Sequence, residues 1–499
     1  MVLINNTSVG GCGYTAAAVL WVANLLVKLV GLSAICRHVF GVRGHYERRG
    51  YTGVRLASVL HLMYGFVLRW RLRCQKIMVP SGSDGAPKNS HGKRGQSAAV
   101  QKKDPKAGYG ETRVETRHSF VTSMIRVKVS LKCKSECLNN AMIAELLARE
   151  SEKTRPPLQK ALRRAARRAL LWLEEASEIV RQNRSLTELS GVGPTLEKHI
   201  LRWINDPPEL PPAPEIRKGF LTMAQAQATL AEKPNWLSGI KGDLQMHSEW
   251  SDGSGSIREM AEAGAQRGYE YISITDHSKG LKIAGGIDEA QLRHQRQEID
   301  EINESLRVVG KKIRVLRSIE VNLNPRGEGD MESRSLAELD IVLGCFHSSL
   351  RKKEDQTERY IAGLRNPDIQ ILGHPRGRIY NYRLGLTADW PRVFGLAAEL
   401  DKAVEIDSYP DRQDLSPDLV TLAKKAGCRI SLGTDAHGPS QLAFLEIGLA
   451  SAIRAGVKRQ RILNFMTREE LLAWVAGVRS ARMARFSEAT SASSTASIA

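Results

Sequence analysis

Five histidines after Pro234 occupy equivalent places, each where a short apolar or β-branched run ends: His247, His277, His347, His374 and His437. A parallel barrel gathers residues at the carboxyl ends of its strands around one mouth, where such barrels keep their chemistry. The sixth histidine of this region, His294, is predicted to face solvent, because it lies about 200° around a helix from apolar Leu292. The five strand-end histidines therefore predict a metal site.

Carboxylates stand at matching places. Asp252 lies in the loop after the first run, Glu320 ends the third run, and Asp435 precedes His437 by two residues. Imidazoles combined with carboxylates suit zinc, manganese or iron, whereas a set of cysteines would indicate structural zinc. We therefore expect a catalytic rather than a purely structural metal site.

The elements that must position these side chains are seven strand-like runs, most of them separated by amphipathic helical stretches such as Ile257–Arg267 and Leu292–Leu306. This order predicts an α/β fold with a parallel sheet. The runs are Asp243–Ser248, Tyr271–His277, Ile313–Val321, Ile341–His347, Ile369–His374, Ala403–Asp407 and Arg429–Asp435.

Five ordered motifs resemble the polymerase and histidinol phosphatase (PHP) domain, in the version carried by bacterial family X DNA polymerases. The resemblance covers residues 242–475, and its strings are GDLQMHSEWSDG (242–253), ITDHS (274–278), FHS (346–348), LGHPRGR (372–378) and GTDAH (433–437). It implies a distorted seven-stranded (β/α) barrel whose trinuclear metal cluster hydrolyses phosphoesters. Paired cations suit that reaction, because they clamp the attacking and leaving oxygens and lower the pKa of a bound water.

The resemblance also implies a ligand set for three divalent ions, zinc or manganese and possibly iron. The first ion would take Gln245, His247, Glu320 and Asp435. The second would take Glu320, His347 and His374, so that Glu320 bridges two ions, and the third would take Asp252, His277 and His437. Gln245 departs from the family, which usually has histidine there, and we expect its neutral amide to make the first site looser.

Three arginines are candidates for holding the substrate phosphate beside the catalytic carboxylates Asp435 and Glu320. Arg376 and Arg378 follow His374 directly, and Arg412 follows the sixth run. Guanidinium groups bind phosphate in a bidentate manner. Each could equally be an ordinary surface arginine.

Upstream, residues 186–204 resemble a helix-hairpin-helix, a motif that grips the DNA backbone without reading bases. Gly191 and Gly193 permit a tight turn, and the N–H groups that begin the next helix can meet a phosphate. Lys198 and Arg202 are candidate phosphate contacts, although an ordinary glycine-rich corner is the alternative interpretation.

The stretch before this motif concentrates arginines on one side of a predicted helix, at 163, 164, 167 and 168. It resembles the small helical N-terminal domain of the same polymerases, although a solvated helix face is the alternative interpretation. Only about 35 residues, rich in proline and alanine, separate the hairpin from the barrel. The nucleotide-transfer domain of a polymerase does not fit there, so we reject polymerase activity.

The basic charge of the chain is concentrated at its start. Residues 1–141 hold 22 Lys and Arg against 6 Asp and Glu, a net of +16 of the total +19, so the charge says little about the barrel. The apolar stretch Thr15–Cys36 is interrupted by Asn24 and Lys28, which disfavours a membrane span. We expect residues 1–141 to be a largely unfolded or mis-started extension, with the natural start at Met142.

The predicted organisation is therefore an extension (1–141), a helical helix-hairpin-helix domain (142–210), a linker (211–235), the PHP barrel (236–478) and a disordered tail (479–499). We expect a cytoplasmic metal-dependent phosphoesterase with no membrane partner, acting on DNA as a 3′-5′ exonuclease or at damaged positions in DNA repair. The alternatives are a small-molecule phosphatase of histidinol-phosphatase type and a DNA-binding protein without turnover.

Overall fold

The structure of the protein is a computed structural model that describes residues 138–481. Predictions about the extension, the apolar stretch and the residues after 481 lie outside this range and stay predictions. The described chain begins with a helical domain (138–210) of four helices: α1 (Asn140–Lys153), α2 (Leu158–Ala169), α3 (Ala176–Arg181) and α4 (Pro194–Asn205). A 3₁₀ turn, Leu186–Glu188, stands between α3 and α4.

The predicted start of the helical domain at residue 142 falls inside α1. The helix begins at Asn140, and the side chain of Asn139 caps it by accepting from the backbone N–H of Met142. Asn140 also ties α1 to the rest of the domain, because its side-chain oxygen accepts from the Ala176 N–H at 2.9 Å. Residues 138–141 therefore belong to the helical domain and not to the extension.

Seven parallel strands form the second part of the chain in the order β1 to β7. Their bounds are Gly242–Met246, Tyr271–Ile274, Arg314–Asn322, Ile341–Cys345, Ile371–Leu372, Ala403–Asp407 and Arg429–Gly433. The sheet curls so that β1 meets the end of β7, where the His247 N–H donates to Ala436 O at 2.7 Å and the Asp435 N–H donates to Gln245 O at 3.0 Å. This nearly closed barrel confirms the predicted fold class.

Helices cover the outside of the barrel, as the apolar periodicity predicted. They are α5 (Met223–Ala231), α6 (Pro234–Leu237), α7 (Ile257–Gln266), α8 (Glu289–Val308), α9 (Ser333–Ala337), α10 (Thr357–Arg365), α11 (Trp390–Glu399), α12 (Pro417–Ala426), α13 (Leu445–Arg454) and a last helix over 468–481. On α8, Leu292, Ile299, Ile302 and Leu306 are buried and His294 is exposed. No helix within 138–481 combines the length and apolar character needed to cross a membrane.

The segment predicted as a linker, 211–235, is packed rather than free. Arg217 is buried and donates to Glu145 of α1 and to Asn381 of the barrel, at 2.7 and 2.8 Å. The ring of Phe220 packs edge-to-face on Tyr380, with centroids 5.1 Å apart. Because α5 buries Met223 and Ala226 against α13, the barrel unit begins before residue 236.

Candidate metal centre

The carboxyl ends of the strands bring the predicted ligands to one mouth of the barrel. His247 and His277 follow β1 and β2, Glu320 lies in β3, and His347 and His374 each come two residues after a strand. Asp435 and His437 follow β7, while Gln245 lies within β1. Asp435 has a left-handed backbone, φ +52°, a strained conformation that clusters at functional sites.

Glu320 lies at the centre of this group, fully buried. Its Oε1 is 2.8 Å from Nε2 of His347 and 2.8 Å from Nε2 of His374. Its Oε2 is 3.4 Å from Nε2 of His247 and 3.6 Å from Nδ1 of His277. The two carboxylate oxygens therefore face different histidine pairs, which is the geometry that a bridging carboxylate requires.

The remaining acidic residues extend the cluster on the side of His247. Asp435 Oδ1 is 2.9 Å from His247 Nε2. Asp252, which is exposed, places Oδ1 3.3 Å from His437 Nε2 and 3.6 Å from His277 Nε2. The residues that the sequence analysis assigned to three ions thus lie in one continuous cluster, although which ion each would bind stays a prediction.

Gln245 lies inside the cluster and is fully buried. Its Nε2 donates to Glu320 Oε2 at 3.1 Å, and no described residue donates a hydrogen bond to its Oε1. The two ends of an amide are distinguished only by their hydrogen bonds. Exchanging the positions of Oε1 and Nε2 would point the oxygen at the cluster. A cation bound there would favour that orientation.

The donor atoms fit divalent cations. Several buried ligand atoms have no hydrogen-bond partner among the described residues: Nδ1 of His247, Nδ1 of His277 and Oε1 of Gln245. A buried polar atom without a partner costs roughly 1–3 kcal/mol, and a metal ion would remove that cost. Nitrogen and oxygen donors in this mixture suit zinc, manganese or iron.

Neighbouring groups hold the ligand side chains in place. Asn322 Oδ1 lies 3.1 Å from Nδ1 of His347, which turns Nε2 of that ring toward Glu320. The carbonyl of Asp435 lies 2.7 Å from Nδ1 of His437, which turns the other ring nitrogen toward Asp252. Such contacts fix the tautomer and orientation of metal-binding histidines. The sequence analysis missed Asn322, although its place two residues after Glu320 on one strand face is a usable signal.

Two buried acids outside the predicted set also border the cluster. Asp276 accepts from the Ser248 N–H at 2.8 Å and from Gln295 Nε2 at 2.6 Å, which fixes the loop after β1. Glu405 on β6 accepts from the His374 N–H at 2.7 Å. Burial raises the pKa of Glu405 to about 8, so this carboxyl is mostly protonated near neutral pH.

The ligands themselves show the electrostatics of a crowded site. Burial alone would raise the pKa of Asp435, but the Arg412 guanidinium and the His247 imidazole hold it well below its usual range. Burial lowers the pKa of His277 to about 3, so this ring is neutral and free to coordinate a metal. The ionised Asp435 and the neutral His277 are in the protonation states that a cation site needs, whereas at His247 and His374 burial would lower the pKa but neighbouring carboxylates raise it.

The three candidate phosphate-binding arginines take different places. Arg412 lies at the cluster, with Nε 3.2 Å from Asp435 Oδ2. Arg376 is half-buried, and its Nε has no hydrogen-bond partner among the described residues. Arg378 is 4% exposed, and its guanidinium lies 3.7 Å above the Phe220 ring and donates to two carbonyls of the connecting segment. Arg378 is thereby engaged in packing that segment, so the structure does not support its predicted role as a phosphate ligand.

The hairpin residues form a turn followed by a helix. Gly191 has φ +82°, where glycine is favoured, and Gly193 precedes α4, whose first residue is Pro194. Lys198 and Arg202 are exposed and one turn apart on α4. The element before the turn is the short 3₁₀ segment Leu186–Glu188 rather than a full helix.

Comparisons with known proteins agree with this geometry. A family described as PHP domain matches residues 243–432. The DNA polymerase/3′-5′ exonuclease PolX of Bacillus subtilis (strain 168) is 36% identical over 48% of this chain, which spans 41% of that protein's length. A probable phosphatase of Photobacterium profundum is 30% identical over 36% of this chain and 72% of its own length.

Among solved structures, histidinol phosphate phosphatase from Lactococcus lactis, in complex with zinc, L-histidinol and phosphate, is similar with a TM-score of 0.34 and 19% identity. The match covers 44% of this chain and 94% of that one.

A barrel of parallel strands with clustered imidazoles and carboxylates at its mouth defines a metal-dependent hydrolase of phosphoesters. With residues 243–432 matched, the chain belongs to the PHP domain family.

Proposed function

We propose that this phosphoesterase acts on DNA, releasing a terminal phosphate or nucleotide at the metal centre while the helical domain holds the DNA backbone. The observation that carries the proposal is where α2 lies. The guanidinium of Arg167 on α2 lies 3.9 Å from a carboxylate oxygen of Asp411. Arg412, which follows Asp411 in the chain, contacts the cluster carboxylate Asp435. The arginine-rich helix is therefore next to the mouth of the barrel.

Further contacts hold the helical domain against the barrel. The Met223 N–H donates to Leu170 O at 2.8 Å, directly after α2, and the Tyr380 N–H donates to Asp411 O at 2.7 Å. Tyr380, a barrel residue, is itself buried in the hydrophobic core of the helical domain. The first hydrogen bond joins the end of α2 to α5, and the second joins the loop after β5, which carries His374, to the loop after β6, which carries Arg412. Tyr380 connects these loops to the helical domain.

The basic side chains of α2 remain available to a polyanion. Arg163, Arg164, Arg167 and Arg168 are exposed, and Leu162, Ala165, Ala166 and Ala169 form the buried face. Arg168 also donates to Ser190 Oγ at 2.7 Å, which links α2 to the hairpin turn. Basic groups on helix and hairpin together suit a phosphate backbone, whereas a small phosphate ester needs one anion site.

At the mouth, each residue has a distinct task in the proposed reaction. Bound divalent ions would supply Lewis-acid activation of water and of the phosphoryl oxygens. Glu320, Asp435 and the five histidines would hold those ions, and Asn322 orients His347. Arg412, 31% exposed at its side chain, binds a non-bridging phosphate oxygen and offsets charge that grows as the ester bond breaks.

The second candidate substrate is a small phosphate ester. Relatives named as probable phosphatases support it, because the chain covers 83% of the Thermoanaerobacter sp. (strain X514) protein at 29% identity. That match covers 42% of this chain, so it leaves the role of the rest of the chain open. In this alternative the helical domain serves only to pack the loops after β5 and β6.

The discriminating experiment supplies the full chain with manganese or zinc and compares three substrates: 3′-labelled single-stranded DNA, histidinol phosphate and a chromogenic phosphate monoester. We expect kcat/KM on DNA to exceed that on both small esters and to fall as salt increases. Replacing Arg163 and Arg167 by glutamine should reduce kcat/KM on DNA about tenfold and leave the chromogenic ester unaffected.

The matched control replaces two arginines outside the helical domain, Arg326 and Arg334, by glutamine; both side chains are more than three-quarters exposed. These changes should not alter kcat/KM on any substrate. Efficient turnover of histidinol phosphate with none on DNA would overturn the DNA proposal and favour the small-ester alternative.

A further inference from the structure

Cys345 is the last residue of β4 and adjoins the metal centre. It is fully buried. Its Sγ, a carboxylate oxygen of Glu320 and a ring nitrogen of His374 all lie within 4.8 Å of one another.

The pairing of the strands explains why the thiol faces the cluster. Glu320 of β3 is in register with Leu343 of β4, and Cys345 lies two residues further along the same strand. Side chains two residues apart on a strand share a face, so Cys345 points into the barrel as Glu320 does. Leu343 and Cys345 accordingly belong to one buried cluster inside the barrel.

The chain leaves room for the sulfur. A Cβ on Gly373, the residue before His374, would lie 2.3 Å from Sγ of Cys345 and 3.2 Å from Glu405 Oε2, so a larger side chain would collide with the thiol. Glu405, whose Oε2 is the atom near Gly373, and Gln245, which donates to Glu320, each have a buried Oε1 without a hydrogen-bond partner among the described residues. Buried oxygens without partners beside Cys345 and Glu320 indicate a ligand there.

We propose that Cys345 is a thiolate ligand, together with Glu320 and His374, of one ion in the centre. The inference rests on the proposed metal-dependent function and adds a ligand that the resemblance did not assign. Coordination replaces the S–H bond by a metal–sulfur bond, and the proton is released to solvent. A soft thiolate favours zinc or cobalt over manganese, whereas imidazole and carboxylate ligands accept all three.

Cys428 is the matched control. It is also buried, but its thiol donates to the backbone carbonyl of Phe394 at 3.2 Å. It belongs to none of the potential metal-binding groups found between residues 138 and 481. Replacing it by serine tests the loss of a buried thiol without touching the centre.

The experiment uses the full chain with the five cysteines of residues 1–137 (Cys12, Cys36, Cys74, Cys133 and Cys137) changed to serine, loaded with cobalt(II). Thiolate ligation of cobalt gives an intense near-ultraviolet charge-transfer absorption, whereas imidazole and carboxylate ligands give only weak visible bands. We expect the intense absorption in this protein and in its Cys428→Ser variant. It should disappear in the Cys345→Ser variant while the visible bands remain.

Metal content gives an independent readout. In competition between zinc and manganese at equal concentration, Cys345→Ser should lower the bound zinc-to-manganese ratio by at least about tenfold, the scale for changes around metal sites. Cys428→Ser should leave the ratio unchanged. Circular dichroism confirms that each variant is folded.

The possible outcomes separate this inference from the proposed function. Visible cobalt bands without the charge-transfer absorption, in a protein that retains Cys345, would overturn the cysteine ligand and leave the metal centre intact. Failure to bind any cobalt, zinc or manganese would instead overturn the metal centre itself, and the cysteine ligand with it.

Discussion

At the level of single residues, Glu320 is the side chain that contacts most of the histidines in the metal centre. Its two oxygens face different histidine pairs, and burial removes the water that would otherwise compete for them. Burial would raise the pKa of this carboxyl, but the surrounding imidazoles hold it well below the usual range. A carboxylate that stays ionised at this depth is suited to bridging two cations.

Removing either central acid should abolish hydrolysis. Glu320→Ala and Asp435→Ala each delete an anionic ligand from a site that is predicted to hold closely spaced cations, so kcat should fall by at least about a hundredfold. Turnover of a chromogenic phosphate ester and metal content measure the two effects. His294→Ala, at an exposed histidine of α8, is the control and should change neither. Wild-type turnover with unchanged metal content in both acid variants would contradict the assignment.

Gln245 provides a gain-of-function prediction. Its buried amide donates to Glu320 and offers at best a neutral oxygen to a cation. Gln245→His supplies a better donor, so metal occupancy should rise and the metal concentration for half-maximal rate should fall roughly tenfold. Gln245→Ala should move both quantities in the opposite direction. If titration gives the same occupancy for all three proteins, Gln245 does not act as a ligand.

The hairpin turn before α4 is an element that can be tested without disturbing the fold. A Cβ on Gly193 would meet no atom within 4 Å, so Gly193→Val fits the protein but would obstruct a phosphate approaching the helix start. We expect DNA binding to weaken about tenfold at all sequences alike, with a shallower salt dependence. Hydrolysis of a small phosphate ester should stay at the wild-type rate.

The same substitution elsewhere controls for a bulky side chain on a helix. Gly395 on α11 is exposed, and a Cβ there also meets nothing within 4 Å. Gly395→Val should leave DNA binding unchanged in a fluorescence anisotropy titration. Equal losses on DNA and on the small ester in Gly193→Val would indicate a packing role for the turn.

At the scale of the whole molecule, Arg217 joins the helical domain to the barrel. It is buried, and its guanidinium contacts Glu145 and Glu152 of α1 and Asn381 of the barrel. Breaking a buried ion pair leaves an uncompensated charge behind. The two parts of the chain therefore depend on this residue for a fixed arrangement.

Arg217→Met should lower the free energy of unfolding by about 3 kcal/mol, the lower end of the range for broken buried pairs, since Glu152 is half exposed. Urea unfolding followed by tryptophan fluorescence measures the loss. Arg184→Met is the control and should change stability little, because Arg184 pairs with Glu174 and Glu188 at the surface, where water and salt screen the charges. Equal stabilities for the two variants would contradict the bridging role.

Metal binding should also stabilise the protein as a whole. Ligands from six strands and the loops after them meet at one place, so the folded state binds the ions and the unfolded chain does not. Chelation should lower the melting temperature, and added zinc or manganese should restore it. Glu320→Ala should show a much smaller metal-dependent shift, and an equally large shift in that variant would place the stabilising ion elsewhere.

The sequence by itself determined the strands and the class of site, because short apolar and β-branched runs ending in histidine mark the carboxyl ends of parallel strands. The family followed from the resemblance of five ordered motifs. It also identified His294 as solvent-facing, since helical phase depends on local spacing alone. These are properties of short segments, which is why seven strand runs and most ligand positions could be predicted without any tertiary contact.

The tertiary structure decided what depends on residues far apart in the sequence. Arg378 follows His374 as closely as a phosphate ligand would, yet its guanidinium packs on Phe220, which lies far earlier in the chain. The supposed linker is fixed by Arg217, and Cys345 faces Glu320 only because β3 and β4 pair in that register. Local patterns carry no information on such contacts, because sheet register and domain packing are set by the whole chain.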